Sequence, residues 1–258
     1  MAPEGSTLSI QPPAIRLEWR KNGVAVVTME DRDAKNTFSD AFSRGLSAVF
    51  REIAANAQAR AVVIHGYDNY FCCGGTRDQL IRLAESRLNY TDILDFELLL
   101  RCEIPVIAAM QGHAIGGGLV FGAYADIIIL AEECVYNTNF MHYGFTPGMG
   151  ATFIIPHRLG QMLGWEMLLT GRNYRGAELR DRGAQLQVTR KSNVLDSALA
   201  QAENLAQKPT LSLRELKRRF VATIEADLAT AIESELRMQS LTCPLAEVRE
   251  RIDALYPL

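Results

Sequence analysis

With 258 residues, 48% of them hydrophobic and 22% charged, the chain has ordinary globular composition and is long enough to bury a core without disulfide or metal staples. A formal net charge of -3 and a pI of about 5.9 argue against a broad nucleic-acid-binding face. The five cysteines (Cys72, Cys73, Cys102, Cys134, Cys243) are odd in number and lack zinc-type spacing, and the four histidines contain no HExxH pair, so a reducing compartment and no metal are expected.

Residues 1–13 are polar and proline-bearing, as in a poorly ordered terminus. Arg16-Leu17-Glu18-Trp19 and Val24-Ala25-Val26-Val27-Thr28-Met29 read as two strands around a turn at Lys21-Asn22-Gly23. Ser39 is placed to cap a helix whose inner face carries Phe42, Leu46, Val49, Phe50 and Ile53. The apolar run 61–65 is a strand and ends in a first glycine turn, Phe71-Cys72-Cys73-Gly74-Gly75-Thr76. A helix over 77–83, a polar break at 86–92, and a second helix over about 93–101 follow.

The strand at 104–109 runs into a second glycine turn, Gly112-His113-Ala114-Ile115-Gly116-Gly117-Gly118, which opens a helix over about 117–125. Residues 126–131 are the next strand. Strands apolar on both faces alternating with helices define an α/β class with a mostly buried sheet. Helices then cover 151–159, 163–169, a segment starting at 174–178, and 194–206; long amphipathic stretches at 212–224 and 226–241 carry no strand pattern. This divides the chain into a core of 1–200 and a helical region of 201–258. The apolar run 116–130 is broken by glycines and Asp126 and is too short to span a membrane, and the first residues lack a charged segment followed by an apolar one. A cytoplasmic protein without membrane or nucleic-acid partners is expected.

A glycine run at the end of a buried strand lets backbone approach a ligand closely. If the two turns converge, each offers one backbone N–H to the same oxygen, an oxyanion hole for a thioester carbonyl.

Together with Lys35-Asn36-Thr37-Phe38, Ala125-Asp126-Ile127 and Phe145-Thr146-Pro147-Gly148-Met149-Gly150-Ala151, these turns make the chain resemble the crotonase (enoyl-CoA hydratase/isomerase) superfamily over nearly its whole length. The resemblance implies a ββα spiral core with a C-terminal helical oligomerisation region, assembled as a homotrimer or a dimer of trimers. It places the oxyanion donors on the backbone N–H groups of Cys73 and Gly117, flanked by Gly74, Gly75 and Gly116 as substrate-binding backbone.

Family hydratases hold a water between two glutamates; the matching positions here are Val120 and Phe140, which cannot take a proton. The segments 71–76 and 136–150 resemble one subgroup, the decarboxylating crotonases of polyketide β-branching cassettes. These act on 3-methylglutaconyl chains carried on an acyl carrier protein and need no cofactor beyond the carrier's phosphopantetheine. The lysine and histidine of that subgroup align here with Asn89 and Gln239, which hydrogen-bond but do not act as general acids at neutral pH.

Arg82, Arg87, Tyr90, His142 and Tyr143 are the candidates to substitute for that lysine and histidine, with Tyr90 and His142 as the expected proton donors and Tyr143 as a substrate-binding residue. His113 reads as a packed strand-end residue, Cys72 and Cys73 as small packing residues, and Asp126 as a structural hydrogen-bonding group. The densest cationic run, Arg214, Lys217, Arg218 and Arg219, is the expected docking patch for an acidic carrier, or else a solvated helix face. Two further readings stay open: double-bond isomerisation of an enoyl thioester, and a non-catalytic protein that binds an acyl carrier.

Overall fold

The structure, a computed structural model, describes residues 13–256, so the expectation for residues 1–13 lies outside it except for Pro13. Strands β1 (Ile15–Trp19) and β2 (Val24–Met29) pair antiparallel, and every residue of β2 is buried. Helix α1 (Asp40–Ala55) begins at Ser39, whose Oγ accepts the Phe42 N–H at 3.1 Å. Its buried residues are those the periodicity selects: Phe42, Leu46, Val49, Phe50 and Ile53.

From here the chain repeats a unit of two strands and a helix. The first unit is β3 (Ala61–His65), β4 (Tyr70–Cys72) and α2 (Arg77–Ala84). A short α3 (Leu98–Arg101) precedes the second, β5 (Val106–Met110), β6 (His113–Ile115) and α4 (Gly117–Ala123). The third is β7 (Ile127–Ala131), β8 (Val135–Asn137) and α5 (Ala151–Leu159). After α6 (Gln161–Thr170) come β9 (Tyr174–Arg175), α7 (Gly176–Asp181) and β10 (Gln187–Thr189). The chain ends in α8 (Lys191–Ala206), α9 (Thr210–Ala222), α10 (Glu225–Thr242) and α11 (Ala246–Leu255).

In each unit the first strand joins a six-stranded sheet, ordered β1-β2-β3-β5-β7-β10 and parallel from β2 onward. The second strand joins a smaller sheet, β4-β6-β8-β9. Each unit therefore advances both sheets by one place, giving the ββα spiral. The strands β4, β6 and β8 have three residues each, too few to show an alternating pattern.

Two expectations are corrected. The stretch 93–101 is helical only at Leu98–Arg101, behind a 3₁₀ turn at Tyr90–Asp92. Asp92 accepts the Asn89 N–H locally, and Leu94 and Phe96 reach the core from non-helical backbone. The division at residue 200 falls inside α8, which packs across β3, β5 and β7 and belongs to the core; the break follows it, at 207–209.

Lys217 is corrected as well. It is 5% exposed, and its Nζ donates to Asp126 Oδ2 (2.8 Å), Ile104 O (3.0 Å) and Leu99 O (3.2 Å). Asp126 Oδ2 also accepts the Val106 N–H at 2.7 Å, so this carboxylate is a structural hub. Only Arg214, Arg218 and Arg219 of the cationic run remain toward solvent, and Arg214 and Arg218 face Glu103 and Glu215. Among the described residues no helix is long and apolar enough to cross a membrane.

Candidate active site

Asn36, fully buried, shapes the first glycine turn. Its Nδ2 donates to Met29 O and Phe71 O, both at 2.9 Å, and its Oδ1 accepts the Asp31 N–H at 2.7 Å. Gly74 then takes a φ of +76°, a region open to glycine at no steric cost. The second turn needs the same freedom at Gly116, with a φ of +56° and an N–H that Asn137 holds through O and Oδ1 at 3.0 and 3.1 Å.

The two turns converge. A Cβ on Gly74 would lie 2.8 Å from Ile115 O, 3.2 Å from Gly117 N and 3.4 Å from Gly118 N. One on Gly118 would lie 2.1 Å from Cys72 O. Gly117 is the first residue of α4, so its N–H has no acceptor within the helix. The Cys73 N–H donates to Asn36 O at 3.3 Å, so this expected donor already has a backbone acceptor.

Cys73 and Gly117 both line a cavity of about 60 Å³. Cys73, Ile115, Asn139, Tyr143 and Tyr256 also line an outer groove of about 700 Å³, so these residues form the passage between the two. The Tyr143 and Tyr256 rings stand 6.4 Å apart there, and the Tyr256 hydroxyl donates to Gly75 O at 3.0 Å. No Asp, Glu, Lys, Arg or His is among the described residues lining the inner cavity.

Of the residues singled out in the sequence, Gly74, Gly75, Gly116, Tyr90, Phe140, Tyr143 and Gln239 line this cavity with Cys73 and Gly117. Gln239 sends its Nε2 to Thr146 O at 3.2 Å, which leaves a second N–H on the same amide. Tyr90 is 3% exposed and its hydroxyl is already committed to Ile232 O at 3.1 Å; burial and the neighbouring Glu235 raise its pKa well above the ordinary value.

Three residues fall elsewhere. Val120 is fully buried within α4 and is not on the cavity wall. Asn89 is exposed at the start of the 3₁₀ turn. His142 is exposed in the outer groove rather than the inner cavity, which corrects its reading as the proton donor.

His113 accepts the Val135 N–H through Nδ1 at 2.9 Å, and burial lowers its pKa, in keeping with a packed residue. Burial pushes the Cys73 thiol up to about 11, which leaves it an inert wall group at neutral pH.

Sequence reasoning missed Glu235. Fully buried on α10, its carboxylate accepts the Gly150 N–H (2.7 Å), the Thr152 N–H (2.7 Å) and the Thr152 hydroxyl (2.6 Å) at the start of α5. Burial raises its pKa against the pull of those donors. Its spacing of four from Gln239 on one helix face was the available signal. Glu235→Gln turns an NH2 toward these donors, so urea unfolding is expected to show a loss of about 2–3 kcal/mol.

A ββα spiral whose two glycine turns pack against each other at a cavity defines a crotonase-type protein. The chain belongs to the enoyl-CoA hydratase/isomerase family, whose model matches residues 19–256. It is 48% identical over 236 residues to the bacillaene synthase decarboxylase PksI of Bacillus subtilis (strain 168), covering 92% of this chain and 95% of that protein.

A solved structure from a dehydratase/decarboxylase enzyme couple involved in polyketide β-branching matches with a TM-score of 0.93 and 46% identity, over 95% of this chain and 100% of that one. The ECH2 decarboxylase domain of CurF from Lyngbya majuscula matches at 0.91 and 40%, with the same coverage.

Proposed function

We propose that the protein removes CO2 from a 3-methylglutaconyl-type thioester on an acyl carrier protein, giving a 3-methylcrotonyl-type product in polyketide β-branching. The observation that carries this reading is the pairing of two converging glycine turns with a cavity wall that, among the described residues, has no carboxylate, imidazole or cationic side chain. Hydration needs a base to activate water, and this wall offers none. Decarboxylation needs no base. The C4–C5 bond breaks, its electron pair moves into a dienolate, and the charge settles on the thioester oxygen between Cys73 and Gly117. The substrate carboxylate loses hydration here and meets no cation, a cost removed when it leaves as neutral CO2. The Gln239 amide is the group best placed to orient it.

The similarity to the bacillaene synthase decarboxylase and to the β-branching decarboxylase structures supports this reading. An acyl carrier protein is the proposed partner, with its phosphopantetheine arm in the outer groove, and a homotrimer or dimer of trimers the proposed assembly. The chemistry calls for no other cofactor.

The deciding experiment incubates the protein with 3-methylglutaconyl-loaded carrier protein and reads intact mass. The carrier is expected to lighten by the mass of CO2, and an unchanged mass overturns the proposal. The lack of a cation, with Asn89 outside the cavity, favours a second reading in which the site only isomerises or holds an enoyl thioester. Isomerisation would change ultraviolet absorbance at constant mass; carrier binding with neither change would mark a non-catalytic protein.

A further inference from the structure

Loss of CO2 leaves a dienolate that must gain a proton, and neither Tyr90 nor His142 is placed to supply it. Every other protic side chain on the cavity wall can be accounted for. Tyr90 donates to Ile232 O, Tyr256 to Gly75 O, and Gln239 to Thr146 O. The amides of Gln239 and Asn139 do not titrate. The Cys73 thiol hangs two bonds from the Cα of the residue whose own N–H faces the thioester oxygen. It lines the same passage as Tyr143, so the test below separates the two.

Tyr143 is different. It is 8% exposed, and its hydroxyl has no hydrogen-bond partner among the described residues. Its ring lies nearly parallel to Phe145 (10°, centroids 6.1 Å apart), and its backbone N–H closes the preceding 3₁₀ turn on Phe140 O at 3.1 Å. A rigidly held phenol with an uncommitted O–H therefore stands where the cavity meets the groove. The hydroxyl itself stays open to solvent and can exchange its proton with water in the outer groove.

We propose that Tyr143 is the catalytic acid of this site: its O–H bond breaks, the proton goes to C4 of the dienolate, and the C–H bond formed there gives the 3-methylcrotonyl thioester. The tyrosinate left behind recovers its proton from water in the outer groove. No oxidant, reductant or further reactant enters. This deepens the decarboxylase reading and rests on it for the substrate. Burial alone raises the Tyr143 pKa, so the group stays protonated, ready to donate, through the neutral and mildly alkaline range.

The test uses Tyr143→Phe, which keeps the ring on Phe145, in two assays. With 3-methylglutaconyl-loaded carrier, turnover is expected to fall roughly a hundredfold with KM nearly unchanged. In D2O, the variant's product should lose the selective C4 label that the wild type installs. With 3-methylcrotonyl N-acetylcysteamine thioester in D2O, wild-type protein should exchange the C4 protons, and the variant should do so roughly a hundredfold more slowly. Equal rates and labelling for the two proteins overturn the assignment. So does a larger loss in Cys73→Ala than in Tyr143→Phe. Exchange by the wild type without any decarboxylation would overturn the decarboxylase reading while leaving Tyr143 as the acid.

Discussion

Gly74→Ala is expected to reduce kcat by about 10²–10³-fold, the loss that accompanies removal of one oxyanion donor. The added methyl would sit 2.8 Å from Ile115 O and 3.2 Å from Gly117 N, in the space between the two turns. It must push the turns apart, and with them the Cys73 and Gly117 N–H groups. The residue also has a φ of +76°, so alanine adds left-handed strain of about 1–2 kcal/mol.

Gly75→Ala provides the contrast. Its Cβ would first meet Leu80 Cδ2 at 3.3 Å, the end of a flexible side chain, and its φ is not positive. That variant should keep activity within a few-fold and lose little stability, about 1 kcal/mol or less. Carrier-linked turnover by intact mass, with urea unfolding on both proteins, separates the two effects. Near-normal turnover in Gly74→Ala would mean that the converging turns are not the electron sink.

The contrast between adjacent glycines also shows where the sequence stops being readable. Both lie in one motif, and the motif alone does not tell which lies over the second turn. The long elements were legible because burial repeats along them: α1 turns its five predicted side chains inward, and β2, β3, β5 and β7 are largely apolar runs. The smaller sheet was legible only through the family resemblance, because its strands are too short to show a period.

At the site, the backbone donors followed from the glycines, whereas the side chains did not. Tyr143 and His142 are neighbours in sequence, yet the 3₁₀ turn buries the first against Phe145 and leaves the second exposed in the outer groove. Asn89 and Tyr90 divide in the same way, the first to solvent and the second to the cavity wall. Around a tight turn, a change of one position reverses the direction of a side chain, and no propensity records it.

Lys217→Met is expected to destabilise the protein by about 3–5 kcal/mol, the largest effect predicted for any residue outside the site. From the sequence Lys217 is one cation in a basic run; its partner Asp126 lies 91 residues away. In the fold its ammonium is enclosed and makes three hydrogen bonds, two to the carbonyls of Leu99 and Ile104 and one to Asp126. Methionine fills similar volume but leaves both carbonyls without this donor and Asp126 without its countercharge.

Asp126 would keep the Val106 N–H, which holds the first residue of β5, the strand that leads into the second glycine turn. The loss should therefore appear in urea unfolding and also, more weakly, in turnover. Adding Asp126→Asn to Lys217→Met removes the unpaired charge and keeps an acceptor for Val106, so the double variant should be more stable than Lys217→Met alone by about 1–2 kcal/mol. If the two substitutions add instead, the pair is not coupled and α9 is held to the core by packing alone. If Lys217→Met is as stable as wild type, the ammonium contributes nothing beyond its own desolvation.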